Sequence, residues 1–127
     1  MLNSLTDERA ASLRAQLPED RFAVADASHL QEPRGHYAGQ AGLLALPRTT
    51  EEVATLVRIA SELRVPVVPY GGGTGLVGGQ VAAAGPIPLI LSLEKMAAVR
   101  AILPDENVLI AAAGRLLAGV HAAAEHV

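Results

Sequence analysis

The sequence has no cysteine and no tryptophan, and its aromatic residues are limited to Phe22, Tyr37 and Tyr70. Without cysteine, the chain has no disulfide framework, no thiolate metal ligand and no cysteine nucleophile. Few aromatic residues and abundant alanine predict a thin core, because small side chains each bury little apolar area. At 127 residues, the chain corresponds to one small domain or to part of a larger one.

A strong charge of either sign is also missing. The formal net charge is −3 at pH 7 and the two signs are interspersed, which argues against a nucleic-acid or anionic-membrane partner. No apolar run is long enough to span a bilayer, and Asp7, Glu8 and Arg9 lie where a signal peptide needs apolar residues. We therefore expect a cytoplasmic protein without a membrane span.

The four histidines do not form a metal-binding pattern. His29 and His36 lie in polar surroundings without paired ligands, so we expect both side chains to be solvated. His121 and His126 are five residues apart, a spacing that does not place both on one face of a helix. No metal site is predicted.

Apolar periodicity and turn residues predict helices that alternate with strands. The predicted helices cover Asp7–Leu17, the residues from Thr49 to Leu63, and the residues from Leu117 to Val127. The predicted strands cover Gly42–Leu46, Val65–Pro69, Ile87–Leu93, Val99–Leu103 and Val108–Ala112, with a short extended piece at Phe22. Ser4 is the expected N-cap of the first helix, and Thr49 forms a capping box with Glu52.

These elements predict an α+β fold, in which a small α/β lobe precedes the start of a second sheet. The strand, helix and strand between Gly42 and Pro69 form a βαβ unit, which predicts parallel strands and a right-handed connection. Pro66 and Pro69 cannot donate to a strand ladder, which favours strand ends or an edge position. The last two predicted strands flank a turn-rich tetrapeptide, so we expect a hairpin there.

The most informative segment is the glycine turn, residues 69–79, with the sequence Pro-Tyr-Gly-Gly-Gly-Thr-Gly-Leu-Val-Gly-Gly. Glycine lets a ligand approach the backbone closely, and successive amides can point into one concavity that suits phosphate oxygens. No Lys or Arg occurs between Arg64 and Lys95, so the predicted anion site relies on backbone dipoles. Hydrogen bonds to a charged acceptor contribute roughly 1.5–3 kcal/mol each. A plain turn without a ligand is the alternative at this point.

Two common phosphate-binding patterns fit the glycine turn poorly. The Walker pattern needs Lys and then Ser or Thr after its last glycine, and neither follows Gly79. Gly73-x-Gly75-x-x-Gly78 matches the dinucleotide fingerprint, and Glu94 lies at about the distance of twenty residues that the motif requires. That motif must also open a long crossover helix, for which the interval before Pro86 is too short. A Rossmann-type nicotinamide-binding part is therefore a minor alternative.

Three segments together resemble the start of an FAD-linked oxidase domain. They are Pro47-Arg-Thr-Thr-Glu-Glu-Val, the glycine turn with the strand that begins at Val65, and Leu91-Ser-Leu-Glu-Lys-Met. This PCMH-type domain is shared by vanillyl-alcohol oxidase and p-cresol methylhydroxylase. Within that family the sequence is most similar to the D-lactate, glycolate and D-2-hydroxyglutarate dehydrogenase branch. The resemblance extends from about Arg34 to the end of the chain, in the family's order and spacing.

The resemblance implies that the glycine turn wraps the pyrophosphate of FAD. Members that attach flavin covalently often carry a histidine in the turn, and Gly73 occupies that place here, which implies non-covalent FAD. Residues 1–38 would be an N-terminal helix and approach segment, and residues 39–127 a PCMH-type FAD-binding domain truncated at its C-terminal end. The implied cofactor-binding residues are Pro69, Tyr70, Gly71, Gly72, Gly73, Thr74, Gly75, Leu76, Gly78 and Gly79.

The resemblance also implies a reaction, the flavin-dependent oxidation of D-2-hydroxy acids. In the family, a hydride moves from the substrate's α-carbon to the flavin, and a general base takes the hydroxyl proton. The second glycine-bearing segment and the substrate-binding cap follow the final helix, so a small 2-hydroxy-acid substrate is expected only in a full-length parent. No catalytic residue is assigned to this chain, and no oligomeric state is predicted. A non-catalytic remnant without a ligand is the second hypothesis.

Overall fold

A four-stranded sheet and a separate two-stranded sheet organise the chain in the computed structural model, which describes residues 1–125. The larger sheet contains β1 (Phe22–Ala23), β2 (Leu43–Ala45), β3 (Val67–Tyr70) and β4 (Leu89–Ser92). The smaller sheet contains β5 (Val99–Leu103) and β6 (Val108–Ala111). Each predicted strand is present, and none of its ends lies more than two residues from the predicted position.

The helices lie before, between and after the strands of the larger sheet. They are α1 (Asp7–Arg14), α2 (Ala27–Leu30), α3 (Thr50–Glu62) and α4 (Leu117–Ala124), and single 3-10 turns cover Glu19–Arg21 and Pro104–Glu106. The part of the last predicted helix that includes His126 and Val127 lies outside the described residues. None of the helices in the described part of the chain has the length and apolar character that crossing a bilayer requires.

The larger sheet has the strand order β1-β2-β4-β3. Both β2 and β3 pair with β4 in parallel, with Leu43 and Val67 each opposite Leu89. The two strands of the predicted βαβ unit are therefore parallel, as expected, but β4 is inserted between them. Strand β3 lies at the edge of the sheet and Pro69 is exposed there, so the predicted edge position is confirmed.

The core lies between the larger sheet and helices α1 and α3. Strands β2 and β4 are buried along their whole length, because both faces of these central strands are covered. One face packs against the helices, and the residues of this cluster are Leu5, Leu13, Phe22, Leu43, Ala45, Leu56, Ile59, Val65, Leu89 and Leu91. The opposite face contributes a smaller cluster of Leu44, Tyr70 and Ile90, and this face leads to the glycine turn.

The predicted cap of the first helix was wrong. Thr6 is the N-cap, and its side chain accepts from the Arg9 amide at 3.5 Å. Ser4 instead accepts from the Ile87 amide at 3.1 Å, because the first residues run beside the strand region. Helix α1 also ends at Arg14 rather than at Leu17, because the Gln16 amide donates to the Leu13 carbonyl three residues back, at 3.1 Å, and this bond tightens the last turn.

The predicted capping box at the start of α3 is half present. Thr49 is the N-cap, and its hydroxyl accepts from the Glu52 amide at 3.2 Å. The Glu52 carboxylate accepts from the Arg48 amide at 2.6 Å and from Nε of Arg21 at 3.0 Å, instead of returning to Thr49. Burial acts to raise the pKa of Glu52, but the bonds from Arg48 and Arg21 hold this pKa below its ordinary value.

The predicted hairpin is confirmed as the antiparallel pair β5 and β6, and α4 packs against both strands. A close backbone approach joins this unit to the end of β4. A Cβ atom at Gly114 would lie 1.7 Å from the Leu93 carbonyl oxygen, so only glycine fits at that point. Before residue 39, α1 and β1 belong to the same core and sheet as the rest, and the boundary at residues 38 and 39 stays a prediction.

We predict that Leu56→Ala lowers the free energy of unfolding by about 2–5 kcal/mol, because it removes a fully buried side chain and leaves a cavity. Val57→Ala, one residue along α3 and 46% exposed, is the control and should change this free energy by less than about 0.5 kcal/mol. Urea denaturation followed by circular dichroism measures both variants. Equal destabilisation by the two substitutions would contradict the helix-to-sheet packing.

Candidate cofactor site at the glycine turn

Strand β3 ends at Tyr70 and delivers the chain directly into the glycine turn. Gly73 and Gly78 have positive φ angles of 69° and 79°, which side chains other than glycine rarely adopt. A Cβ atom at Gly73 would lie 2.1 Å from the Tyr70 hydroxyl oxygen. The turn therefore needs glycine at position 73 both for its backbone conformation and for space above the Tyr70 ring.

Four carbonyl groups between Gly71 and Gly79 accept hydrogen bonds from neighbouring residues. Gln80 donates to the carbonyls of Gly75 at 2.6 Å and Gly73 at 3.4 Å. The Arg34 guanidinium donates to the Leu76 carbonyl, and the Val81 amide donates to the Gly78 carbonyl at 3.1 Å. These bonds hold the shape of the turn, and in each of them the turn contributes a carbonyl oxygen and no N–H group.

The amide groups of the same turn are left available. Within residues 1–125, no amide from Gly71 to Gly79 donates to a backbone or side-chain acceptor. The glycine turn thus presents a series of main-chain donors without protein partners, which is the property that an anion-binding nest requires.

Space for a ligand is open beside two of these donors. A Cβ atom at Gly71 would meet no other atom within 4 Å, and one at Gly72 would meet only the Thr74 methyl group at 4.0 Å. Glycine at these two positions is therefore not required by packing inside the protein. The free space allows ligand atoms to approach the backbone directly.

The glycine turn separates two concave regions. The main cleft has a volume of about 830 Å³ and lies between the turn and the segment that starts α4. Its lining consists of Asp26, Ser28, His29, Tyr70, Gly71, Gly72, Thr74, Glu94, Ala97 and residues 113–119. The second region, of about 660 Å³, lies between the turn and residues 31–35.

Tyr70 supports the turn from below. The residue is only 8% exposed, and its hydroxyl donates to the Ser28 carbonyl at 2.8 Å. The His29 ring lies 4.9 Å from the Tyr70 ring. The sequence predicted His29 as solvated, which was wrong, because its side chain is 11% exposed and its Nδ1 lies 2.9 Å from Asp26 Oδ1. This packing depends on α2 folding against β3, which local polarity does not reveal.

Asp26 organises the short helix beside Tyr70. Its carboxylate accepts from the Ser28 hydroxyl at 2.6 Å and from the Ser28 amide at 2.9 Å. The Ser28 hydroxyl bond, followed by the bonds to His29 and to the Ser28 amide, lowers the pKa of Asp26 to about 2. Asp26 is therefore ionised throughout the physiological pH range and caps α2 as a carboxylate.

A buried carboxylate that was not predicted from the sequence shapes the part of the approach segment formed by residues 32–37. Glu32 is 1% exposed and accepts from the amides of Arg34 at 2.9 Å and His36 at 2.5 Å. The Arg34 amide bond is the main cause that lowers the pKa of Glu32, although burial acts in the opposite direction. The loop formed in this way places Tyr37 against Gly78. The His36 residue is exposed, as predicted.

Comparison with known proteins identifies the family of the chain. Residues 41–126 match the family described as an FAD binding domain. The chain belongs to this family. D-2-hydroxyglutarate dehydrogenase of Xanthomonas citri pv. viticola is 38% identical over 123 residues, which cover 94% of this chain and 26% of that protein. D-lactate dehydrogenase of Archaeoglobus fulgidus is 33% identical over 111 residues, which cover 87% of this chain and 24% of that protein.

Solved structures show the same fold for this FAD binding domain. An alkyldihydroxyacetonephosphate synthase matches with a TM-score of 0.81 at 20% identity. The match covers 98% of this chain and 26% of the synthase chain. p-Cresol methylhydroxylase with substrate bound has a TM-score of 0.70 at 18% identity, with coverage of 98% and 26%. The predicted PCMH-type fold is confirmed, and the chain spans about a quarter of the length of the relatives it matches.

The family supports FAD as the cofactor, and the geometry of the FAD binding domain agrees with it. Available amides and open space at Gly71 and Gly72 fit the oxygen atoms of a diphosphate. The Rossmann alternative was wrong, because residues 79–88 contain no helix after the last glycine of the motif.

We predict that Glu32→Gln reduces stability and changes its pH dependence. The folded state lowers the pKa of Glu32 below its ordinary value of 4.5, so its stabilising contribution is present above about pH 4.5 and is lost as pH falls through the folded pKa. The stability difference between native and variant protein should therefore shrink at low pH. Urea midpoints measured between about pH 6 and about pH 3 test this expectation.

The control for this experiment is Glu106→Gln, which changes an exposed carboxylate in the turn between β5 and β6. It should leave both the midpoint and its pH dependence close to those of the native protein. If the midpoint difference for Glu32→Gln is the same at every pH, ionised Glu32 does not stabilise the approach segment.

Proposed function

We propose that this chain supplies the diphosphate-binding part of a flavin-dependent oxidoreductase that acts on D-2-hydroxy acids. The observation that carries the proposal is the difference between the two kinds of main-chain group in the glycine turn. The carbonyls of Gly73, Gly75, Leu76 and Gly78 accept hydrogen bonds from Gln80, Arg34 and Val81, whereas none of the amides from Gly71 to Gly79 has an acceptor within residues 1–125. A diphosphate supplies acceptors for these donors.

The proposed binding residues divide into three roles. The amides of Gly71, Gly72, Gly73, Thr74 and Gly75 donate to the diphosphate, and the Thr74 hydroxyl provides one further donor. Pro69 and Tyr70 hold the start of the turn, and Leu76, Gly78 and Gly79 close it. Each bond to a charged acceptor contributes roughly 1.5–3 kcal/mol, so three or four of them make a substantial site.

The substrate class is proposed from the relatives. Proteins similar to this chain are D-2-hydroxyglutarate and D-lactate dehydrogenases, and both named substrates are D-2-hydroxy acids. Bound FAD supplies the hydride acceptor for such an oxidation. This chain's part is to bind and orient the cofactor, and no catalytic base is proposed within it. The relatives from Oryza sativa are named as mitochondrial, so a cytoplasmic location stays a prediction.

We predict that Gly72→Val weakens FAD binding without unfolding the protein. A valine side chain at this position would project into open space beside the turn, where a Cβ atom meets only the Thr74 methyl group at 4.0 Å and where Gly72 lines both concave regions. FAD affinity is measured by quenching of flavin fluorescence, and folding is measured by circular dichroism. Affinity should fall by about tenfold or more, which corresponds to the loss of one charge-assisted bond.

Ala54→Val is the control, because it introduces the same side chain at an exposed position of α3, a helix that lines neither concave region. Its FAD affinity should equal that of the native chain. Native protein that binds no FAD would refute the proposed function and favour the non-catalytic remnant. Equal binding by native protein and Gly72→Val would show that the turn is not the binding element.

We further propose that FAD is bound non-covalently, because Gly73 offers no side chain for attachment. After loading with FAD, acid precipitation should therefore release all flavin into the supernatant, where its absorbance is measured. Flavin that remains in the protein pellet after washing with denaturant would show a covalent bond and would contradict this prediction. The control is apoprotein that is mixed with FAD in denaturant and precipitated in the same way. The flavin in its pellet measures non-specific trapping and is subtracted.

A further inference from the structure

Arg115 lines the main cleft together with Gly71, Gly72 and Thr74 of the glycine turn. The local sequence around the turn contains no basic residue, and the fold brings this one in from the segment before α4. The Arg115 guanidinium donates to the Ala97 carbonyl at 3.2 Å and to the Gly119 carbonyl at 3.1 Å. These two bonds fix its position and leave the other guanidinium donors available.

Gly119 makes room for the guanidinium. Glycine is among the least favourable residues inside a helix, yet Gly119 lies within α4. A Cβ atom there would lie 2.7 Å from both Nε and Nη2 of Arg115. Space that alanine would fill is therefore occupied by the charged end of Arg115, which is held against the start of the helix.

Arg115 has no acidic partner at ion-pair distance within residues 1–125. The two acidic residues that share the cleft form their bonds with other residues: Asp26 accepts from Ser28 and His29, and Glu94 pairs with Lys95 at 3.2 Å. The start of a helix also disfavours a cation, so α4 does not compensate the charge.

We infer that Arg115 binds the FAD diphosphate as a side-chain cation on the wall of the cleft that faces the amides of the glycine turn. This inference rests on the proposed function and adds a cation to a site that the turn alone would form from neutral dipoles. A guanidinium suits this role because its N–H groups match two phosphate oxygens at once. The diphosphate would then be held between main-chain donors and one positive charge.

The test compares FAD affinity of the full chain and of Arg115→Gln by isothermal titration over a range of NaCl concentrations. Arg115→Gln should weaken binding by about tenfold or more, as expected for one charge-assisted contact. Salt should weaken binding by native protein more steeply than binding by the variant, because salt screens the lost charge. Arg115→Lys should be intermediate, since it keeps the charge and loses the planar fork.

Gly119→Ala keeps the positive charge of Arg115 but moves its guanidinium, so it tests whether the position of the charge matters. Alanine favours the helix and displaces the guanidinium, so stability should be kept or raised while FAD affinity falls. Arg58→Gln is the charge-matched control on the exposed side of α3, where Arg58 pairs with Glu62 at 2.9 Å. It should leave FAD affinity unchanged, apart from the small effect of net charge.

The possible outcomes separate this inference from the proposed function. Unchanged affinity and an unchanged salt dependence in Arg115→Gln, with FAD still bound by the native chain, would overturn the role of Arg115 alone. Absence of FAD binding by the native chain would overturn the proposed function and this inference together. If Arg115→Gln fails to fold, Gly119→Ala and Arg115→Lys give the same comparison, and native-like affinity in both overturns the inference.

Discussion

The site depends on an imbalance in main-chain hydrogen bonding within one turn. Side chains of Arg34 and Gln80 donate to the carbonyls of Gly73, Gly75 and Leu76, while the N–H groups from Gly71 to Gly79 have no acceptor within residues 1–125. A turn that is held through its acceptors keeps its shape without using its donors. The donors then remain without protein partners, and in the proposed site they would bind an anion without a lysine in the turn.

Long-range contacts keep this turn in place. Tyr70 is tied to Ser28 from below, and the loop around buried Glu32 brings Arg34 and Tyr37 against the other side. These contacts join residues about forty positions apart in the sequence. The approach segment is therefore part of the site's support, even though it resembles a simple connection when the sequence is viewed alone.

Elements with a local cause were predictable from the sequence. The strands have β-branched or leucine-rich runs, Thr49 has the spacing of an N-cap, and the glycine turn is evident from its closely spaced glycines. The features that were missed have causes distant in sequence. Ser4 accepts from the Ile87 amide instead of capping the first helix, and His29 packs on Tyr70. Arg115 lies in the same cleft as the glycine turn because the folded chain brings the two segments together. Periodicity and capping rules describe neighbours along the chain and contain no such information.

The position of β3 has a consequence for association between molecules. An edge strand normally offers unpaired backbone groups to which another chain can add, and proline on such a strand prevents this. Pro69 has no N–H to offer, and it lies exposed on β3 immediately before the glycine turn. The strand that supports the proposed cofactor site is therefore a poor template for intermolecular β-pairing.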